Sequence, residues 1–127
     1  LNIHIRDRQS ILRLGNDLGI WDMMLVLQKG RRKVYSYIEN EEYRNIAKQS
    51  YIVNSRNLVY LDHPLERKAR HLLITDQVNG DIIIQILDQN SFKSIILISN
   101  SVNPEFFDKF DYKLKVKNEH FFIFTND

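Results

Sequence analysis

Two aspartates close apolar runs in this chain, Asp62 at the end of NLVYLD and Asp76 at the end of HLLITD. On neighbouring parallel strands such carboxylates would emerge at one sheet edge, where two acids can hold Mg²⁺ for phosphoryl transfer. His63, next to Asp62, would then act as acid or base. Antiparallel neighbours would place the two acids at opposite ends, and aspartate is common wherever strands turn. A metal-dependent phosphodiesterase or nuclease is therefore an alternative and not the leading expectation.

The second constellation is QKGRRKVYSY, residues 28–37. If this segment is extended, Arg31, Lys33, Tyr35 and Tyr37 share one side, while Val34, Ser36 and Ile38 share the other. Cations beside aromatic rings are what single-stranded nucleic acid uses, with phosphates on the cations and bases stacked on the rings. Arg31, Arg32, Lys33, Tyr35 and Tyr37 are accordingly the candidate nucleic-acid-binding residues. The competing explanation is structural, because tyrosine is common in half-buried strands with its hydroxyl reaching water.

Other chemistries find no support. His4, His63, His71 and His120 are far apart and form no H-x-x-x-H or H-E-x-x-H pattern, so no local metal motif is present. No G-x-S-x-G or G-x-x-x-x-G-K occurs, and four glycines make no Gly-rich nucleotide loop. With no cysteine there is no disulfide framework, thiolate metal site or cysteine nucleophile. No cofactor is expected.

At 127 residues, 43% hydrophobic and 27% charged, the composition is that of one globular domain, 1–127, able to bury a core without staples. The apolar runs MMLVL and IILI fall far short of the roughly 18 to 20 residues of a membrane-spanning helix. A cytoplasmic, cysteine-free protein is expected. The start at Leu1, without methionine or a cleavable leader pattern, suggests a trimmed chain or a domain cut from a longer one. Net charge is +2, but all nine arginines lie between Arg6 and Arg70. Residues 1–70 carry +5 and residues 71–127 carry −3. Segregated arginine can mark an anion-facing surface, and two halves that pack against each other would also compensate.

The elements that must position these groups follow from periodicity. Residues 7–18 place Ile11, Leu14 and Leu18 at helical spacing, which predicts a short amphipathic helix stopped near Gly19. WDMMLVLQKG is read as a strand, and NEEYRNIAKQ as a helix capped by Asn40 with Tyr43, Ile46 and Ala47 inward. SYIVNSRNLVYLDHP reads as strand, turn, strand. RHLLITDQV and DIIIQILDQ flank Asn79-Gly80, the strongest short-range hairpin signal. The competing reading begins a helix at Asp81 and runs it to Asn90, against the rotamer cost of consecutive isoleucines. SIILIS is a strand, NPEFFDKF one or two helical turns, and DYKLKVKNEHFFIFTND two strands. In the first of these two, Leu114 and Val116 face one way, and Lys113, Lys115 and Lys117 guard an edge on the other.

The expected fold is α+β: a mainly antiparallel, possibly mixed sheet of about five or more strands, with two or three short helices. If residues 81–90 are helical, the same elements make an α/β domain with a parallel core. The expected function is a non-catalytic binding or adaptor domain with a basic and aromatic nucleic-acid surface in the N-terminal half. A protein interaction domain docking through a strand edge or aromatic patch is the alternative partner reading.

Overall fold

The computed structural model describes residues 9–17, 22, 33–49, 57–98 and 101–126. Ile11–Leu14 (β1), where a helix was expected, is a strand with all four residues buried. It lies between two parallel neighbours, Val34–Tyr37 (β2) and His71–Ile74 (β4). A strand covered on both faces shows no alternation, so its apolar run fits either period.

Beyond β2 lies Leu58–Tyr60 (β3), and beyond β4 lies Ser94–Ile98 (β5), both parallel to their neighbours. The last two strands, Lys113–Lys117 (β6) and Phe121–Thr125 (β7), form a hairpin whose β7 pairs antiparallel with β5. The seven-stranded order is β3-β2-β1-β4-β5-β7-β6. The mainly antiparallel α+β expectation is thus corrected to a mostly parallel α/β sheet.

The correction turns on Asn79-Gly80. Instead of a hairpin turn, Asn79 caps the helix Gly80–Gln89, its Oδ1 accepting from Asp81 N at 2.9 Å. The helical alternative for residues 81–90 matches, with the cap at Asn79 in place of Asp81. In a helix interior a β-branched residue costs at most about 0.7 kcal/mol relative to alanine. Burying an isoleucine side chain returns about 1.5–3 kcal/mol. Ile83 and Ile86 have no exposed surface, so burial decides the outcome. The helix also provides the crossover that parallel β4 and β5 require.

The helix expected at NEEYRNIAKQ forms over Glu41–Lys48 (α1), with Asn40 Oδ1 accepting from Tyr43 N at 3.0 Å; Gly80–Gln89 is α2. Of its predicted inward stripe only Ala47 is buried, whereas Tyr43 and Ile46 are 41% and 51% exposed. Ala47 joins the core on the sheet face of Ile11, Val34, Leu58, Leu73 and Ile96. On the opposite face Ile83, Ile86 and Leu87 of α2 pack with Leu12, Leu72 and Ile95. Helices therefore cover both faces, as in doubly wound sheets. Pro104–Lys109 is a 3₁₀ turn that seats Phe107 against Phe124 of β7, ring centroids 5.2 Å apart.

β6 is the edge strand expected, but Leu114 and Val116 do not share a face. A register shift between them pairs Leu114 with Phe124 and Val116 with Ile123, residues on opposite sides of the sheet. One extra residue in a strand reverses every side chain beyond it. Apart from Asp22, which is helical, residues 20–30 lie outside the described residues, as does SYIV before Asn57.

Replacing Asn79 by alanine removes the cap that selects helix over turn. Urea denaturation should show a loss of about 1 kcal/mol.

Candidate functional site

The strand order reverses between β1 and β4, whose connections leave in opposite directions. In open α/β sheets, ligands bind outside the carboxyl ends of the strands at this point. Three short segments meet there, following β1, β2 and β4, and the segment after β3 lies one strand beyond β2.

Arg13 on β1 organises them. Its side chain is fully buried and forms a two-pronged pair with the equally buried Asp22, Nε to Oδ1 at 2.9 Å and Nη2 to Oδ2 at 2.8 Å. Nη2 also donates to Ser36 Oγ at 2.8 Å, and Nη1 to Asp17 Oδ1 at 2.8 Å and Thr75 Oγ1 at 3.3 Å. The guanidinium thus ties β1 to β2, to the residue after β4 and to the segment that follows β1. Thr75 Oγ1 in turn donates to Asp17 Oδ1 at 2.8 Å. The Tyr60 hydroxyl is buried near Asp22. Burial first, and then the Asp22 charge, push its pKa above the ordinary phenol value.

Gly15, immediately after β1, makes this closure possible. A Cβ there would lie 2.5 Å from both Asp17 Oδ1 and Thr75 Oγ1 and 3.0 Å from Arg13 Nη1. Any side chain would drive the Asp17 carboxylate off its partners. Asn16 then links the neighbouring segments, accepting from Asn40 N at 2.8 Å and donating to Gln77 O at 3.4 Å. Glu39, two residues past β2, accepts from Asn79 N at 2.9 Å.

The resulting edge is acidic. Asp17, Glu39, Asp62 and Asp76 follow β1, β2, β3 and β4 within two or three residues. Asp62 is paired with Lys48, and that hydrogen bond holds its carboxyl below the usual carboxylate range. Arg44 packs over the Tyr37 ring, 4.9 Å from its centroid, and donates to Ile38 O at 2.9 Å. Beside the Asn16–Gln77 contact opens a cleft of about 470 Å³ lined by Gln77, Ser101, Asn103, Asn118, Glu119 and Phe122.

The residues singled out from the sequence are dispersed. Asp62 and Asp76 do emerge at one sheet edge, but β2 and β1 stand between their strands. Three strand spacings of about 4.8 Å put them roughly 14 Å apart, too far to share one Mg²⁺. No metal-binding group of three His, Asp or Glu residues gathers among the described residues. Lys33 is exposed at the opposite end of β2, Tyr35 is half-buried, and Tyr37 is 8% exposed beneath Arg44. Arg31 and Arg32 lie outside the described residues. Sequence reasoning missed Arg13, Gly15, Asp17, Asp22 and Glu39. Its available signal was the recurrence of an acid just past successive apolar runs.

No family model matches the chain, and no curated protein matches it in sequence. Solved structures do match in shape. Precorrin-6y C5,15-methyltransferase from Geobacter metallireducens superposes with a TM-score of 0.69 at 13% identity, over 97% of this chain and 81% of that one. The chain shares the fold of that protein. The fibrillarin pre-rRNA processing protein of Methanococcus jannaschii gives 0.66 at 15% identity, over 94% of this chain and 67% of that one. A coclaurine N-methyltransferase bound to N-methylheliamine and SAH gives 0.56 at 16% identity, over 73% of this chain and 31% of that one. The likeness overturns the non-catalytic adaptor expectation, whose α+β frame does not exist. The nuclease alternative falls with the separation of Asp62 and Asp76. Among the described residues no helix is long and apolar enough to cross a membrane.

Truncating Arg13 to methionine leaves Asp22 buried and unpaired, and should cost about 3–5 kcal/mol in urea denaturation. Combining it with Asp22→Leu should recover more than half of that loss.

Proposed function

We propose that this chain is the donor-binding core of a methyltransferase that uses an S-adenosyl sulfonium compound. The observation that carries the reading is Asp17. In the dinucleotide fingerprint G-x-G-x-x-G, the second glycine lets the backbone approach an anionic pyrophosphate. Counting from Gly15, that position is Asp17, whose carboxylate is fixed by Arg13 and Thr75. A carboxylate there repels pyrophosphate and favours a nucleoside bearing positive charge.

The residues present fit such a donor. Glu39 stands 24 positions after Gly15, close to the spacing at which an acid past the second strand of a Rossmann unit accepts from ribose hydroxyls. Asn79 N fixes its orientation. Leu61 and the Lys48-paired Asp62 flank the adjacent strand end, where an adenine ring and its amino group would meet an apolar wall and an acceptor. When bound, the donor supplies an electrophilic methyl carbon on positively charged sulfur. The chain's own contribution is a crevice whose acidic edge stabilises positive charge, set by groups that need no rearrangement.

The neighbouring cleft is the acceptor site in this reading. Gln77 brings a side-chain amide of the kind that pairs with nucleobase edges. Asn103 and Asn118, whose Oδ1 atoms accept from Glu105 N and from His120 N and Phe121 N, bring amide donors, and Phe122 offers a ring for stacking. A nucleic-acid acceptor is further supported by the likeness to a pre-rRNA processing protein.

Calorimetric titration tests the donor. S-adenosylhomocysteine and S-adenosylmethionine should bind, Glu39→Gln should weaken both by about tenfold or more, corresponding to about 1.4 kcal/mol, and NAD should not bind. Binding of NAD with no response to either S-adenosyl compound would overturn the reading. Transfer of labelled methyl to RNA, lost in Gln77→Ala with donor affinity unchanged, tests the acceptor.

A further inference from the structure

The opposite edge of the sheet has the opposite charge. Lys33, Arg70 and Lys93 immediately precede β2, β4 and β5. Across β4, β5 and β7 the register aligns His71 with Ser94 and Ser94 with Thr125. This polar row sits on the face that otherwise carries Leu73, Ile96 and Ile123. Polar side chains there need partners, because an unpaired buried hydroxyl costs about 1–3 kcal/mol. His71 and Ser94 are 1% and 2% exposed, and Nδ1 and Oγ lie 2.6 Å apart. Thr125 Oγ1 is buried and has no hydrogen-bonding partner among the described residues.

The row opens into a cleft of about 570 Å³ walled by Lys93, Lys115, His71, Ser94, Thr125 and Val116. The register shift in β6 makes that wall. An extra residue in one strand re-aims its side chains, and here Lys115 and Val116 both line the cleft. Among the described residues neither Lys93 nor Lys115 has a carboxylate partner, and no carboxylate lines the cleft.

We propose that this cleft binds a phosphate group, as inorganic phosphate or as a phosphomonoester. Two ammonium groups balance the charge of a phosphomonoester, about −1.5 to −2 at neutral pH. The Thr125 hydroxyl and the two lysines offer donors converging from several directions, which a tetrahedral oxyanion can satisfy better than a planar carboxylate can; Ser94 Oγ is held by His71 Nδ1, whose Nε2 faces Gln9 Oε1. The site lies at the amino ends of β4 and β5, away from the switch-point crevice, and does not depend on the methyltransferase reading.

Inorganic phosphate and uridine 5′-monophosphate, titrated separately into ¹⁵N-labelled protein, test the proposal. The amide shifts should cluster at residues 93, 94, 115, 116 and 125, and Lys93→Gln/Lys115→Gln should weaken binding at least tenfold while leaving the remaining spectrum unchanged. Thr125→Val, which keeps both charges, should weaken it less. Tighter binding of the nucleotide identifies a ligand-borne phosphate, and equal binding identifies the free ion; either supports the site. Unchanged affinity in the double variant, shifts elsewhere, or no saturation below about 10 mM, an affinity of only about 3 kcal/mol, would overturn it.

Discussion

A guanidinium with no exposed surface occupies the middle of a parallel sheet, and the geometry of the switch point depends on how its charge is satisfied. Removing an arginine from water costs several kcal/mol, offset only when its hydrogen bonds are made with good geometry. Arg13 meets that condition, since each of its three nitrogens is engaged: Nε by Asp22, Nη2 by Asp22 and Ser36, Nη1 by Asp17 and Thr75. Those partners come from β2, from the residue after β4 and from the segment after β1. A single side chain therefore fixes the relative position of the segments that frame the crevice. The arrangement sets one cation against two carboxylates, with the Tyr60 phenol held neutral beside Asp22. Negative charge remains in excess at the carboxyl ends of the strands.

That excess belongs to a wider pattern. The parallel strands β1 to β4 are each entered near a basic residue and left at an acidic one, as in Lys33–Glu39 around β2 and Arg70–Asp76 around β4, whereas β5 follows Lys93 and has no acid before Glu105. Sheets have small net dipoles, so backbone electrostatics do not impose this polarity. Side chains do, and they give the two edges opposite charge. In the readings proposed above the acidic edge would take a cationic nucleoside, and the basic edge, whose lysines have no carboxylate partner among the described residues, an oxyanion. A net charge of +2 conceals the division because the two edges nearly cancel.

Much of the local structure was legible in the sequence. Asn40 and the acids after it marked α1, Pro104 marked the 3₁₀ turn, and the β6–β7 hairpin followed from alternation around Asn118 and Glu119. The topology was not legible, for a definable reason. Asn79-Gly80 satisfies a type I′ turn and a helix N-cap equally well, and only packing of Ile83 and Ile86 against the sheet separates them. HLLI and SIILI, continuous apolar runs without alternation, were the available sign of parallel strands buried on both faces. For the site, attention went to Asp62, Asp76 and the tyrosines because their types suggest chemistry. The residues that build the crevice have ordinary types in positions that only the strand order brings together. Arg13 in particular reads as the polar side of a helix until β1 places it inside.

Asp17 shows why the site resists separation into structural and chemical parts. Its carboxylate completes the hydrogen bonding of Arg13 and Thr75, and Gly15 is small so that it can do so. The same carboxylate occupies the position from which a dinucleotide loop must withdraw side chains. Placing glycine at position 17 would remove a negative charge facing any bound anion. It would also leave a buried guanidinium short of an acceptor, and a group removed from one side of a fully satisfied buried network costs more than its hydrogen bond is worth in isolation. Stability and ligand charge are thus coupled through one residue. A change of cofactor class at this switch point would require compensating changes at Arg13 and Asp22, inside the sheet.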